Sequence, residues 1–362
     1  MKILTVVGAR PQFIKAAAIS RIIRERYQGQ LEEILVHTGQ HFDDNMSKVF
    51  FRELGIPEPK YNLEISGGNH GAMTGRMLEA IESVLLSERP DWVLVYGDTN
   101  STLAGSLAAA KLHIPVVHVE AGLRSFNMRM PEEINRIVTD RISQLLLCPT
   151  QISVENLRNE GVNKGVHLVG DVMYDVSLFY RDLARERSGI LEQLKVAEGN
   201  YVLTTCHRAE NTDDPNKLKG IVQAIERIAK EVPVVFPLHP RTRKLMAEHQ
   251  LLDNLKSVLL IDPLSFLDMV RLEQSAKVIL TDSGGVQKEA FFYGVPCVTM
   301  REETEWIETV SGGWNTLAGA DSEKIVRAYL AAGNQSRVPS SPYGEGNAAE
   351  LCVQALLQAS AL

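Results

Sequence analysis

The sequence predicts an α/β protein built from two doubly wound domains that face a common cleft. Short β-branched runs alternate with amphipathic stretches along the whole chain. The runs are apolar throughout rather than alternating, as strands buried on both faces of a parallel sheet are. The series also occurs twice, on either side of a charged helical segment at about Asp175–Lys195. At about 150 residues per domain, a chain of 362 residues exceeds one ordinary core.

The first series opens at Ile3-Leu-Thr-Val-Val7, which runs through Gly8-Ala-Arg-Pro11 into a helical stretch from Phe13 to about Tyr27. Glu33–Thr38 is the second strand, ending at Gly39-Gln-His41. Trp92–Tyr96 is the third, ending at Gly97-Asp-Thr99 before the Ala-rich, core-packing segment Thr102–Lys111. Pro115–Val119 and Gln144–Cys148 complete this half. The second series is Tyr201–Thr205, Pro233–Phe236, Val258–Ile261, Lys277–Thr281 and Pro296–Thr299. A turn at Ser341-Pro-Tyr-Gly344 precedes a last helix, Asn347–Leu362. The expected division is 1–172, 173–345 and a terminal helix 346–362. In such folds ligands bind outside the carboxyl ends of the strands.

Composition narrows the class further. Hydrophobic residues at 44% and charged residues at 23% are those of an ordinary globular protein. A net charge of −7 gives no overall positive field for nucleic acid. Cys148, Cys206, Cys297 and Cys352 are far apart, so neither a disulfide framework nor a zinc knuckle is indicated. No stretch approaches the ~20 apolar residues of a membrane span, and the first strand is too short for a signal-peptide core. A soluble, cytoplasmic protein is expected.

The glycines spell neither GxGxxG nor GxxxxGK[ST], which disfavours a dinucleotide or P-loop site. The first turn offers Arg10, with Lys15 in the helix that follows. A solvated basic pair is the plain alternative, but cations near a helix N-terminus oppose its dipole, which points to an anionic ligand. Thr281-Asp-Ser-Gly-Gly-Val-Gln-Lys-Glu289 carries the sharpest phosphate signal. A strand ends in Ser283-Gly284-Gly285 and a helix starts at once, exposing backbone N–H groups at its positive end. A tight turn that merely needs glycine is the alternative.

Asp98 and Glu120 each follow a strand, so both can occupy one sheet edge; an N-cap and a solvated loop residue are their plainer readings. Met130-Pro-Glu-Glu-Ile-Asn-Arg136 places Glu132 and Glu133 in a first helical turn, with Arg136 in i+4 and i+3 reach. His207-Arg-Ala-Glu210 and His239-Pro-Arg241 end two successive strands, where histidine suits proton transfer or phosphate binding. His118-Val-Glu120 is like the HxE of zinc deaminases, but no PCxxC follows. No metal ligand set is found.

Taken together, Gly8-Ala-Arg-Pro-Gln…Lys15, Gly97-Asp-Thr, His118-Val-Glu-Ala-Gly-Leu-Arg124, Pro131-Glu-Glu-Ile-Asn-Arg136, Cys206-His-Arg, Thr281–Glu289 and Pro342-Tyr-Gly resemble the non-hydrolysing UDP-N-acetylglucosamine 2-epimerase family, in order along nearly the whole chain. The resemblance implies a GT-B-like fold of two Rossmann-like domains with UDP in the cleft and the last helix packed back on the first domain. It implies catalytic roles for Asp98, Glu120, Glu132 and His207. Arg10, Lys15, Ser283, Gly284, Gly285 and Glu289 match UDP-contacting positions, with Glu289 at the ribose hydroxyls. Phe266 matches the uracil neighbour and His239 a cleft-lining position. No cofactor and no metal are implied; the partner is the UDP-sugar, with no nucleic acid and no membrane, and the assembly a homodimer.

Two departures bear on the substrate. Glu305-Trp-Ile-Glu308 stands where family members commonly have Glu-Arg-Pro-Glu near the phosphates. Gly67-Gly-Asn-His-Gly71 stands where allosterically regulated bacterial members have an Arg-Gln pair. Thr304-Glu-Trp306 with His207-Arg-Ala-Glu-Asn211 is more similar to the branch acting on UDP-2,3-diacetamido-2,3-dideoxy-glucuronate. The rival readings are a GT-B glycosyltransferase, which needs an acceptor; a hydrolysing epimerase, which releases free sugar and UDP; and a UDP-sugar sensor without turnover.

Overall fold

The computed structural model describes residues 1–39, 57–333 and 341–360, with the Arg10 side chain excepted. Gln40 and His41, at the end of the second strand, lie outside the described residues. The chain forms two compact units, Met1–Val176 with Ser341–Leu362, and Ser177–Ser340. The division falls inside one helix, Val172–Arg187, within the charged segment that separates the two strand series.

Unit 1 holds a seven-stranded sheet: β1 Lys2–Val7, β2 Glu32–His37, β3 Tyr61–Asn62, β4 Trp92–Tyr96, β5 Val116–Val119, β6 Leu145–Cys148 and β7 Val166–Leu168. Unit 2 holds a six-stranded one: β8 Val202–Thr205, β9 Val234–Pro237, β10 Leu259–Ile261, β11 Val278–Thr281, β12 Cys297–Thr299 and β13 Asn315–Leu317. The spatial orders are β3-β2-β1-β4-β5-β6-β7 and β10-β9-β8-β11-β12-β13, and the pairings are parallel. Both are the doubly wound, Rossmann-like order. The direction of winding reverses between β1 and β4 in one sheet and between β8 and β11 in the other, which marks two crevices at the carboxyl edges.

Continuous apolar strands are explained by burial on both faces. In unit 2, Val202, Val278 and Leu280 enter one core cluster, while Leu203 and Ile279 enter the cluster on the opposite face. The helix Asn100–Lys111 buries Ala104, Ala108 and Ala109 completely. Gly105 lies so close to β1 that an added Cβ would stand 3.2 Å from Val6.

The first helix starts at Arg10 rather than Phe13, because Pro11 sits in the first turn, where a missing N–H breaks no intrahelical bond. The last helix, Ala348–Ala359, packs on Arg10–Arg26. Its N-terminus is capped from a distance: the Ala348 and Ala349 N–H groups donate to Asp175 at 3.1 and 2.8 Å. No helix among the described residues is long and apolar enough to cross a membrane.

Candidate active site

In unit 1 the exits of β1 and β4 are stitched together by one side chain. The Gly8 and Ala9 N–H groups donate to Gln12 Oε1 at 2.8 and 3.0 Å, and Gln12 Nε2 donates to Tyr96 O at 2.8 Å and Thr102 Oγ1 at 2.9 Å. Gly8 is obligatory here, since a Cβ would lie 2.1 Å from Ser101 Oγ and 2.2 Å from Thr38 Oγ1. Gln12 stood in the quoted Gly8-Ala-Arg-Pro-Gln run without a role. Its signal was a buried amide at a strand exit, invisible without the fold.

Beyond this stitch lies a group of charges. Lys15 Nζ pairs with the Glu120 carboxylate. Glu120 is 7% exposed and has a left-handed backbone, φ +72°, which costs a non-glycine residue about 1–2 kcal/mol. The strain aims the side chain back over the turn at Gly97. Gly97, at φ +60°, would place a Cβ 3.3 Å from Glu120 Oε2 and 3.4 Å from Lys15 Nζ. Asp98 follows immediately, and its Oδ2 accepts from Arg136 Nη1 at 2.5 Å. Burial pushes the Asp98 carboxyl up from its ordinary value; Arg136 and Lys15 oppose this, and Glu120 and Glu132 add to it.

The two adjacent glutamates of the helix Pro131–Ile142 have different duties. Glu133 is buried and accepts from Ser125 N at 3.0 Å, Phe126 N at 2.8 Å and Arg136 Nη2 at 2.7 Å. Burial works against the charge, but the Ser125 N–H and the Arg136 guanidinium hold its carboxyl below the usual range. Glu133 thereby orients Arg136 toward Asp98. Glu132 is half-buried and close enough to act electrostatically on Asp98. Arg10 is the first residue of its helix.

In unit 2 the exits of β8 and β11 meet at Asp282, which is fully buried. Its carboxylate accepts from His207 N at 3.0 Å, Arg208 N at 2.9 Å and Asn211 Nδ2 at 3.3 Å. His207 presents its imidazole at the edge, with Nδ1 3.8 Å from Asp282 Oδ1. Crowding by protein pushes the imidazole down, as do Arg208 and His239, while Asp282 pulls it up.

Ser283 caps the helix Gly284–Phe292. Neither Gly284 nor Gly285 has a positive φ. A Cβ on Gly284 would meet Trp306 Nε1 at 3.4 Å, and one on Gly285 nothing closer than Ser283 Oγ at 3.8 Å. The turn itself therefore does not require glycine at 285. What the two glycines do is leave first-turn N–H groups bare at the positive end of the helix. Glu289 lies one turn further, its Oε2 4.0 Å from a Cβ on Gly285.

The Trp306 indole walls this turn. It is buried, with Lys288 Nζ 3.9 Å from its ring centroid. Its backbone N–H donates to Thr304 Oγ1 at 3.1 Å, and Thr304 donates to Gln287 Oε1 at 2.6 Å. Beside it Glu305 pairs with the buried Arg301 at 3.1 Å, and Arg301 with Glu210 at 2.9 Å. Two expected site residues have structural duties as well. His239 Nδ1 accepts from Arg241 N at 3.3 Å, capping a helix, which leaves Nε2 to carry the ring proton. Phe266 is 6% exposed and packs edge-on against Tyr180 at 5.0 Å. Among the described residues no cluster suited to a metal ion is found.

A family model described as UDP-N-acetylglucosamine 2-epimerase matches residues 24–357. A UDP-2,3-diacetamido-2,3-dideoxy-D-glucuronate 2-epimerase of Pseudomonas aeruginosa is 55% identical over 353 residues, 96% of this chain and 97% of that protein. A UDP-N-acetylglucosamine 2-epimerase of Methanocaldococcus jannaschii is 44% identical over 364 residues, 98% and 99% of the two. The crystal structure of the M. jannaschii UDP-GlcNAc 2-epimerase with UDP-GlcNAc and UDP matches with a TM-score of 0.90 at 43% identity, over 99% of this chain and 100% of that one. The Neisseria meningitidis enzyme bound to UDP-GlcNAc matches with a TM-score of 0.89 at 32% identity, over 99% and 100%. The fold is thus GT-B-like in its two Rossmann-like units, and the chain belongs to the UDP-N-acetylglucosamine 2-epimerase family.

Proposed function

We propose that this chain inverts C2 of a UDP-N-acetylated sugar without hydrolysing it, and that its substrate is UDP-2,3-diacetamido-2,3-dideoxy-glucuronate rather than UDP-N-acetylglucosamine. One observation carries the reaction: Asp98 and Glu120 leave neighbouring strands at one sheet edge, each paired with its own cation, Arg136 and Lys15. The substrate choice is supported by the 55% identity to the P. aeruginosa enzyme of that name and by Trp306 beside Gly284.

C2 of such a sugar carries an unactivated proton. Departure of UDP with the C1–O electron pair leaves a cation-like C1, which makes that proton removable. A carboxylate takes it, the C1–C2 double bond forms, and a glycal and UDP result. A proton delivered to the other face of C2 and return of a UDP oxygen to C1 complete the inversion. Unit 2 is the nucleotide-binding half: the Ser283–Gly285 N–H groups and His207 take up the diphosphate, Glu289 the ribose, and His239 and Phe266 flank the rest. Unit 1 is the half for sugar chemistry. There Arg10 and Lys15 stabilise phosphate charge, and Asp98, Glu120 and Glu132 handle protons. Glu120, ion-paired with Lys15, is the acceptor. Asp98 on the neighbouring strand exit is the donor to the other face; burial favours its protonated form and Arg136 opposes it. The assembly implied by the family resemblance is a homodimer.

The test is NMR of the protein with each UDP-sugar in deuterated water, without an acceptor. Deuterium at C2 of both epimers supports the reading. Free sugar with UDP would make it a hydrolase, and no turnover a sensor.

A further inference from the structure

We infer that His118 is a positioning residue that sets Asp98 and Glu120 against each other; the inference rests on the epimerase reading above. His118 is fully buried in β5, two residues before Glu120. Its two ring nitrogens reach the two loops that carry the carboxylates. Nε2 lies 2.8 Å from Gly97 O, the carbonyl immediately before Asp98. A carbonyl only accepts, so Nε2–H donates. Nδ1 lies 2.6 Å from Asp140 Oδ1. The other Asp140 oxygen accepts from Gly122 N at 3.1 Å and Arg124 Nη1 at 2.7 Å, so the Nδ1 contact ties the ring through Asp140 to the loop that follows Glu120.

The consequence is a rigid bracket. Glu120 is left-handed at φ +72°, a conformation that a non-glycine residue keeps only where its surroundings hold it, and Gly97 at +60° and Gly122 at +79° adopt the same hand on either side. Gly122 also leaves no room for a side chain, since a Cβ there would stand 2.3 Å from Ser153 O. His118 holds the first turn through Gly97 O and, through Asp140, the loop that begins at Glu120. Arg124 is buried and extends the bracket to Glu160 at 2.7 Å. The remaining carbonyl of the first turn, Asp98 O, accepts from Asn135 Nδ2 at 2.8 Å, on the same helix as Asp140. One imidazole therefore ties the exit of β4 to the exit of β5 and to the helix Pro131–Ile142.

Two substitutions separate its two bonds. In His118→Gln the amide nitrogen falls near the position of Nε2 and can still reach Gly97 O. In His118→Asn it falls near Nδ1, keeping Asp140 and freeing the Gly97–Asp98 turn. With the sugar that the wild type turns over, His118→Gln should keep kcat within about 10-fold and His118→Asn should lose about 100-fold or more. KM and UDP affinity should stay within a few-fold in both, because neither substitution alters a residue assigned to the diphosphate, ribose or base. Equal kcat values, or kcat that follows melting temperature rather than the identity of the retained bond, would overturn the inference. Should either variant fail to fold, imidazole-nitrogen NMR of the wild type decides it. A slowly exchanging Nε2–H proton on the buried histidine is expected, and a ring whose Nε2 carries no proton overturns the assignment. A wild type that turns over no UDP-sugar rejects the epimerase reading instead, and leaves the NMR result to judge the bracket.

Discussion

Lys15 and Glu120 form a buried ion pair between the first helix and the exit of β5. On the proposed reading the pair joins a residue for phosphate charge to the residue that takes the sugar proton, so altering either one perturbs the other. Lys15→Met removes this cation from beside a nearly buried carboxylate. Breaking such a pair commonly costs about 3–5 kcal/mol, and the protein should lose thermal stability as well as turnover. A double variant, Lys15→Met with Glu120→Gln, should recover most of the melting temperature and none of the activity. Thermal unfolding and kcat measured on wild type and these two variants check this.

Gly285 offers the opposite separation of stability from binding. Its φ is negative and a Cβ there would meet nothing closer than 3.8 Å, so Gly285→Ala should be neutral or stabilising by about 0.5–1 kcal/mol. The same methyl stands where a phosphate would approach the bare N–H groups. UDP affinity by calorimetry should fall about 10-fold or more while the melting temperature holds or rises.

The raised Asp98 carboxyl makes a prediction about pH. The native state keeps this proton to a higher pH than the unfolded chain does. Stability is therefore lost as pH rises from the ordinary aspartate value through the native one, and stays lost above it. Asp98→Asn, which mimics the protonated form, should be more stable than wild type at pH 8, and the gain should vanish toward about pH 4. Because Asp98 is partly exposed, the gain should be small. Activity should be absent at both. Melting curves across this range give the sign directly.

Trp306 bears on substrate choice. Its indole fills the wall beside Gly284 and is fixed by Lys288 and the Thr304–Gln287 contact. The specificity constant should be higher for UDP-2,3-diacetamido-2,3-dideoxy-glucuronate than for UDP-N-acetylglucosamine. A clear preference for the latter would return the protein to the main branch of its family.

Much of this was legible in the residues. The continuous apolar runs marked the central strands of both sheets to within a residue or two, because strands buried on both faces leave that signature. The edge strand β10 showed as an apolar run, Leu259-Leu-Ile261, whereas the edge strands β3, β7 and β13 left no signal, being two or three residues long with a polar residue in each. The candidate site was legible as a set of positions where chemistry-bearing residues follow strands, as at Asp98, Glu120, His207 and Ser283. It was not legible where a buried polar side chain holds another residue. Gln12, Asp282 and Glu133 act across 70 or more residues or through a loop, and sequence proximity says nothing of that. The Glu132–Glu133 pair shows the limit well. Both sit at helix positions that suit Arg136, and only the fold reveals that Glu133 binds it while Glu132 stays near Asp98.

The central claim is that UDP leaves the sugar and returns, with C2 losing and regaining a proton in between. The most direct measurement follows a UDP-sugar labelled at the bridging oxygen between C1 and phosphorus, incubated with the protein in deuterated water. The account predicts that the label scrambles into the non-bridging positions of the phosphate while deuterium enters C2, both at rates comparable with epimerisation and both suppressed in Glu120→Gln. Epimerised product that keeps its label in the bridge and protium at C2 would contradict it.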